Sequence, residues 1–310
     1  MPSPSTEVTT DQEVSNRHPG QLPVLDENGA AIPEPGPGSC EIIPGQVVSA
    51  TSKKGARLAN DLSLLICGKP TAAPYGDSEL GQILTHIQES MDYLMDEISW
   101  LGEQEPRRVS MLGPFLGRSL LELSATALIG RLDPLRILVV RQIQAQPEYD
   151  TAIPWKASIR WQGDVLAAKK VTNLWGEALD YEKVTKALLG DYYDHLVWRP
   201  AALRMLGFAT AGGAWLAEIA TRGAESFVSQ RREDIGGLYS SLSKGIHHEF
   251  VMPPGAIYDR ATVTALILRT VHLVADLGLV SHFVAHATCS LSADEALAAF
   301  NQIETVEVMK

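Results

Sequence analysis

The sequence predicts an all-α protein, a multi-helix bundle preceded by a disordered N-terminal tail. Apolar residues recur at helical spacing through most of the chain after residue 50. Alternating patterns bounded by Asn-Gly or Asp-Gly turns, which indicate strands, are absent. The first fifty residues are rich in proline, glycine and acids and show neither period. We therefore expect a disordered tail over residues 1–50 and a single helical domain over residues 51–310.

The acidic charge of the chain is concentrated in the tail. Residues 1–50 hold seven acidic residues and one arginine, a balance of −6, whereas the whole chain carries −11. The helical domain is therefore only mildly acidic, which leaves room for a local nucleic-acid surface. Six arginines against three acids between Glu105 and Arg141 fit such a surface, although solvated helix faces give the same pattern.

The cysteines and the hydropathy pattern bear on the compartment of the protein. Cys40, Cys67 and Cys289 lie far apart and form no CxxC unit, which argues against a disulfide framework or a thiolate zinc site. No apolar run follows a basic start, and no window of eighteen residues is free of charge. We expect a cytoplasmic protein with reduced thiols, no membrane partner and no cofactor.

The first two helical patterns flank a break at Pro70 and Pro74. The earlier pattern begins near "ARLANDLSLLICGK", and the later one runs through "SELGQILTHIQESMDYLMDEISWLG". Apolar residues of the later helix repeat at alternating steps of four and three: Leu80, Leu84, Ile87, Met91, Leu94, Ile98 and Leu101. This spacing is typical of a coiled-coil seam and predicts that the helix packs along a partner.

Further helical patterns follow through the rest of the chain. Asp133 and Pro134 divide "MLGPFLGRSLLELSATALIGRLDPLRILVVRQIQAQ" into two helices, because proline favours the first turn of a helix. Residues 151–175 contain Trp155, Trp161 and Trp175 with scattered basic residues, and they are interpreted as a loop followed by a helix. The remaining helical segments are "YEKVTKALLGDYYDHLVW", "PAALRMLGFATAGGAWLAEIATRG", "LYSSLSKGIHHEF", the stretch from Ala261 to His286, and "ADEALAAFNQI".

Polar residues cluster at the end of the helix in "LYSSLSKGIHHEFVMPPG". At 100° per residue, Tyr239 and Ser243 share its apolar face, and His247 lies at the edge of that face beside Ser243. Ser243 and His247 are four residues apart, so they could form a hydroxyl–imidazole pair with the histidine as base. The same residues also fit the patterned end of a packed helix, ended by Pro253.

A second polar pair stands inside a very apolar helix. Arg118 and Glu122 are one turn apart in "GRSLLELSATALIGR", and buried charges must be paired because an isolated one costs several kcal/mol. The pair is either a structural ion pair or part of a polar cleft shared with His247. In the second case, the three residues would supply the acid, base and cation that phosphate chemistry requires.

A third group could bind a metal ion. His282 and His286 are four residues apart in "HFVAH", a spacing at which two imidazoles on one helix can hold one metal, and Asp276 is the nearest acidic ligand. His272 and Asp276 could equally form an oriented base pair. A plain solvated helix face is the third interpretation.

Two segments together resemble a known family. "LGRSLLELSATALIGRLDPLR" and "LYSSLSKGIHHEF" are similar to the paired helices of HEPN-type helical bundles and their abortive-infection relatives. The similarity covers residues 79–290 in architecture and only these two segments in detail. It implies a compact helical bundle that often dimerises and occurs in bacterial defence and toxin systems. The resemblance also implies that active members cut RNA without a metal ion.

The catalytic signature of that family is an arginine followed, after four to six residues, by a histidine. None of the eight histidines here has an arginine five to seven positions before it. His247 therefore matches only the histidine half of the signature. Arg118 or Arg131 could supply the missing cation from another helix.

The leading hypothesis is an HEPN-like protein of a nucleic-acid-directed defence or stress pathway, either active as a metal-independent ribonuclease or inactive. In its active version, His247 is the acid–base group, Arg118 faces the phosphate and Glu122 orients the arginine. Ser243 and Tyr239 donate hydrogen bonds. The alternatives are a non-catalytic oligomeric scaffold or antitoxin-like binder, which uses the seam and the acidic tail, and a metal-dependent hydrolase. The expected partners are a second copy or another protein, and RNA.

Overall fold

The computed structural model of the chain describes residues 53–153, 157–171, 173–176, 185–208, 213–246, 257–306 and 308–309. These residues form helices, turns and loops with no strand, so the all-α prediction is confirmed. The predicted tail, residues 1–50, lies outside them, and they all belong to one compact unit, Ser49–Lys310. The ten helices are α1 (Lys53–Cys67), α2 (Glu79–Leu101), α3 (Pro106–Leu132), α4 (Pro134–Gln144), α5 (Asp191–Tyr193), α6 (Arg199–Leu206), α7 (Ala214–Arg222), α8 (Ala224–Ile246), α9 (Arg260–Ser281) and α10 (Ala293–Glu304).

Helix α9 is the central element of the bundle. It packs against α1, α3, α6, α8 and α10, and its C-terminal half, from Thr270 to Ser281, is buried on nearly every side. This position explains the apolar composition of that half, because a helix covered on every side has no polar face. Within the described part of the chain, α9 is also the one helix long and apolar enough to cross a membrane, and most of its apolar window is buried inside the bundle.

The predicted seam of α2 packs inside its own chain. Leu84, Met91 and Ile98 are fully buried against α1 and α3, so a partner outside the chain has no access to this face. Met95 is also fully buried, whereas Leu94 is only partly covered. A straight helix has 3.6 residues per turn and drifts away from a strict seven-residue repeat. The buried face therefore moves from Leu94 to Met95.

Three of the predicted helices are absent or interrupted, and one of them, predicted over residues 181–198, is not helical at residues 185–190. Residues 157–171 contain no α-helix, and the helix predicted within 151–175 is wrong. The chain instead makes a tight turn over Trp161–Val165, in which Gly163 has φ 100°, a left-handed conformation that glycine adopts without strain. The predicted helix from Pro200 onward is also broken, because α6 ends at Leu206 and α7 begins at Ala214.

The C-terminal end of α1 and the N-terminal end of α10 are joined by close contacts. Gly68, directly after α1, has φ 70°, and a Cβ there would lie 1.8 Å from the carbonyl oxygen of Cys289. The next residue, Lys69, donates its backbone N–H to that carbonyl over 2.9 Å, and its ammonium pairs with Glu295 of α10. Because α1 also packs along α10, helices far apart in sequence close the bundle together.

A single buried arginine ties three helix ends together. Arg131, in the last turn of α3, has 0% of its surface exposed. Its guanidinium donates to Thr288 O (3.0 Å), Ile66 O (3.1 Å), Ser281 Oγ (2.7 Å), His282 Nδ1 (3.0 Å) and Ser290 Oγ (3.3 Å). None of these partners is a carboxylate. The compensating negative potential comes from the C-terminal ends of α1, α3 and α9, where the helix dipoles and free carbonyl groups converge.

The charge of Arg131 is retained despite its burial. Loss of solvation lowers the pKa of Arg131 to about 10, which leaves the guanidinium protonated at neutral pH. An uncompensated buried charge would be strongly destabilising, so the hydrogen bonds to the helix ends are required for the fold.

Replacement of Arg131 by methionine should lower the free energy of unfolding by about 3–5 kcal/mol, because several buried acceptors lose their donor. Equilibrium unfolding in urea measures this loss. Arg107→Met is the matched control, since Arg107 is an exposed arginine of the same helix, and it should change the free energy by no more than about 0.5 kcal/mol. Equal stabilities of the two variants would contradict the role assigned to Arg131.

Candidate functional site

A polar groove lies between α2, α3, α8 and the turn that follows residue 157. Its volume is about 660 Å³, within the range of small-molecule and cofactor sites. The polar and aromatic side chains that line it are Ser90 of α2, Arg118, Ser119, Glu122 and Thr126 of α3, Ser158, Arg160 and Trp161 of the turn region, and Tyr239 of α8. Three residues singled out from the sequence, Arg118, Glu122 and Tyr239, are thus brought together here.

These three residues form a closed hydrogen-bonded triad. Arg118 Nε donates to Glu122 Oε1 over 2.9 Å, which is the one-turn pairing expected on a helix. Arg118 Nη2 donates to the phenolic oxygen of Tyr239 over 2.5 Å, and the Tyr239 hydroxyl donates to Glu122 Oε1 over 3.1 Å. The side chains of Arg118 and Glu122 are 29% and 44% exposed, so the ion pair is in contact with solvent and with any ligand in the groove.

The phenol of Tyr239 is held protonated and fixed in place. Burial and the neighbouring Glu122 carboxylate raise the pKa of Tyr239, and Arg118 only partly opposes them. The ring stacks on Trp161 with centroids 4.3 Å apart, and the guanidinium carbon of Arg118 lies 4.6 Å from its centroid. Tyr239 is therefore an oriented, neutral hydrogen-bond donor at neutral pH.

Of the other two residues predicted for this site, Ser243 is placed by the structure and is not part of the triad. The Ser243 hydroxyl donates to the backbone carbonyl of Tyr239 over 2.7 Å, a bond within its own helix, and Ser243 does not line the groove. Helix α8 ends at Ile246, and His247 lies outside the described residues.

Arg160 and Trp161 are groove residues that the sequence did not single out. Arg160 precedes and Trp161 begins the tight turn at Trp161–Val165, within the stretch 151–175 for which the sequence predicts a loop followed by a helix. The visible signal was a tryptophan-rich stretch with scattered basic residues. Only the fold places this stretch against α3 and α8, so spacing along the chain could not reveal the contact.

The residues considered for a metal site are separated, and the interpretation of a solvated face is wrong. Helix α9 ends at Ser281, so His282 and His286 do not share a helix. His282 is buried and its ring nitrogens are both used: Nε2 donates to Leu65 O (2.8 Å), while Nδ1 accepts from Arg131 and from the Leu291 N–H (both 3.0 Å). No group of three potential metal ligands occurs among the described residues.

Asp276 belongs to a buried ionic network. It is fully buried, and Nε of Arg231 lies 3.1 Å from its carboxylate. Burial raises the pKa of Asp276 to about 7, although Arg231 opposes the shift. His272 Nε2 is 3.6 Å from the carboxylate, too far for a hydrogen bond, and its ring stacks on Trp215. His272 and Asp276 therefore do not form the oriented base pair considered from the sequence.

Arg131, the other cation considered for catalysis, is buried in the core, where it donates to groups such as Ile66 O. It has no access to the groove. Arg118 is therefore the α3 arginine that lines the groove. No family model, no curated protein and no solved structure matches the chain. The chemical groups of the groove are thus the basis on which a function is assigned.

The burial of His282 predicts a loss of stability in mild acid. Desolvation and the charge of Arg131 hold the pKa of His282 well below its usual value, so the folded protein keeps this ring neutral. An unfolded chain binds the proton below about pH 6.5, and the free energy of unfolding then falls by up to about 1.4 kcal/mol per pH unit.

The variant His282→Gln removes this titration while keeping a donor and an acceptor. Between about pH 7.5 and pH 5, the free energy of unfolding in urea should fall less steeply for the variant than for the wild type. The difference in free energy between the two proteins should therefore become smaller in acid. Two curves that run parallel through this range would show that His282 titrates normally in the folded protein.

Proposed function

We propose that the protein binds RNA in this groove as part of a nucleic-acid-directed defence or stress pathway, and that its active form cleaves RNA without a metal ion. The observation that supports the proposal is the Arg118–Glu122–Tyr239 triad in an open groove of ligand size. A cation, a carboxylate and a neutral hydroxyl donor together suit a phosphodiester. The pathway and the independence from metal rest on the resemblance to HEPN-type bundles.

Each member of the triad has a distinct role in this proposal. Arg118 contacts the non-bridging phosphate oxygens through the guanidinium edge, and the Tyr239 hydroxyl turns from Glu122 to donate its one hydrogen to the same phosphate. Glu122 fixes the guanidinium in its orientation. In the cleavage step, the RNA 2′-hydroxyl attacks the adjacent phosphorus and the bond to the 5′-oxygen breaks. His247, in the sequence directly after α8, is the group that transfers protons between these oxygens.

The two charged members of the triad should have opposite effects on affinity. Arg118→Ala should weaken the binding of a single-stranded RNA about tenfold or more, because it removes the phosphate contact and leaves Glu122 unpaired. Glu122→Gln should strengthen binding, because it removes a negative charge beside the phosphate. Fluorescence anisotropy with a labelled oligoribonucleotide measures both changes. Arg107→Ala, an exposed arginine of α3 outside the groove, is the control and should bind like the wild type.

Weaker binding by Glu122→Gln, or equal binding by Arg118→Ala and Arg107→Ala, would rule out this groove as the RNA site. Circular dichroism and thermal unfolding of each variant separate such a result from a loss of fold.

Cleavage is a separate prediction and depends on His247. The wild type should cut single-stranded RNA in the presence of a chelator, and His247→Ala should reduce the cleavage rate by at least about a hundredfold with unchanged RNA affinity. The thermal midpoint should stay close to that of the wild type. A wild type that binds RNA but never cuts it would overturn the ribonuclease part and leave a non-catalytic RNA-binding module.

A further inference from the structure

Arg160 presents a second positive charge to the groove. Its side chain is 57% exposed and lines the groove together with Arg118. Its backbone, in contrast, is fixed: the Arg160 N–H donates to Asp164 Oδ2 over 2.9 Å. The contact between the Arg160 guanidinium and the same oxygen is long, at 3.4 Å. The guanidinium can therefore exchange this contact for an anion at little cost.

The charges around Arg160 are not balanced as they are around Arg118. Arg118 and Glu122 form a neutral pair. Asp164 is shared between Arg160 and Lys186, whose ammonium lies 3.3 Å from Asp164 Oδ1, so among the described residues two cations surround one carboxylate and one positive charge is left over. The excess positive charge of the groove therefore lies on the Arg160 side.

Asp164 keeps its negative charge when Arg160 moves to a ligand. Burial alone would raise the pKa of Asp164, but the Arg160 N–H, the Lys186 ammonium and, as the smallest contribution, the Arg160 guanidinium together hold this pKa below its usual value. The Arg160 N–H and the Lys186 ammonium remain in place whatever the Arg160 guanidinium binds. The turn itself is anchored to the following segment, because Leu188 N–H donates to Asp164 O and Leu189 N–H donates to Val165 O, each over 2.9 Å.

The two arginines are connected through a pair of stacked rings. Trp161 follows Arg160 in the chain and stacks on Tyr239, which accepts the hydrogen bond of Arg118. The guanidinium of Arg118 lies over Tyr239, and Arg160 is the chain neighbour of Trp161. A strand with successive phosphates can place one phosphate at each arginine and a base against the aromatic pair.

We infer that Arg160 is a second phosphate-binding residue, and that the ligand of the groove is a single-stranded RNA that spans at least two phosphates rather than a mononucleotide. The inference rests on the proposed function for the class of ligand and adds Arg160 to it. Each phosphate contact contributes about 0.7 to the slope of log affinity against log salt for single strands. The number of contacts is therefore measurable.

The experiment measures the affinity of fluorescein-labelled octauridylate for the full chain between about 50 and 200 mM salt. Arg160→Ala should weaken binding about fivefold or more and reduce the salt slope by about 0.7, and the double variant with Arg118→Ala should reduce the slope by about 1.4. Arg160→Lys should keep most of the slope because it keeps the charge. Arg107→Ala should match the wild type. Uridine monophosphate should compete at least about a hundredfold less well than unlabelled octauridylate.

The outcomes separate this inference from the proposed function. If Arg118→Ala weakens binding while Arg160→Ala keeps the wild-type affinity and salt slope, Arg160 does not bind a phosphate. The proposal that the groove binds RNA is then retained. If the wild type binds no octauridylate, both the role of Arg160 and the proposed RNA-binding function are wrong. Thermal unfolding checks that Arg160→Ala is folded. If this variant is unfolded, Arg160→Gln takes its place in the experiment, because glutamine keeps most of the side-chain volume.

Discussion

The structure depends on one buried positive charge at the point where three helices end. Arg131 donates to groups at the ends of α1 and α9 from the last turn of α3, and its partners in the described part of the chain are carbonyls, hydroxyls and a neutral imidazole. Burying a guanidinium costs several kcal/mol, and three converging helix C-termini offset that cost. The relative positions of three core helices are thereby fixed, including the α3 helix that carries the groove residues.

Helix α3 thus carries two arginines with opposite environments. Arg118 and Arg131 are thirteen residues apart, which places them on sides of the helix about 140° apart at 100° per residue. One side faces the junction with α1 and α9, and the other faces the groove beside α8. Arg131 is bound by buried groups of the core, whereas Arg118 is bound by a carboxylate and a phenol. Only Arg118 can therefore change partners without disrupting the core.

The periodicity of the sequence was sufficient for the fold class, the division at Asp133 and Pro134, and the pairing of Arg118 with Glu122, because these depend on residues within a few turns of each other. The periodicity was insufficient where tertiary contacts determine the end of a helix or the residues that line the groove. Helix α9 ends at Ser281 without proline or glycine, where Arg131 and Leu65 engage the serine and the following His282. Arg160 reaches the groove only through a glycine-dependent turn. These are contacts between distant segments, which no local pattern records.

The contact between α1 and α10 has a consequence for the biosynthesis of the protein. Helix α1 packs against α10, and the Lys69–Glu295 pair joins residues 226 positions apart. Helix α2 covers part of the α1 surface directly after α1 is synthesised, but the part that packs against α10 stays exposed until that later helix exists. A nascent chain with such an exposed face is a natural client for ribosome-associated chaperones, and a truncated product that lacks α10 would be prone to aggregation and proteolysis.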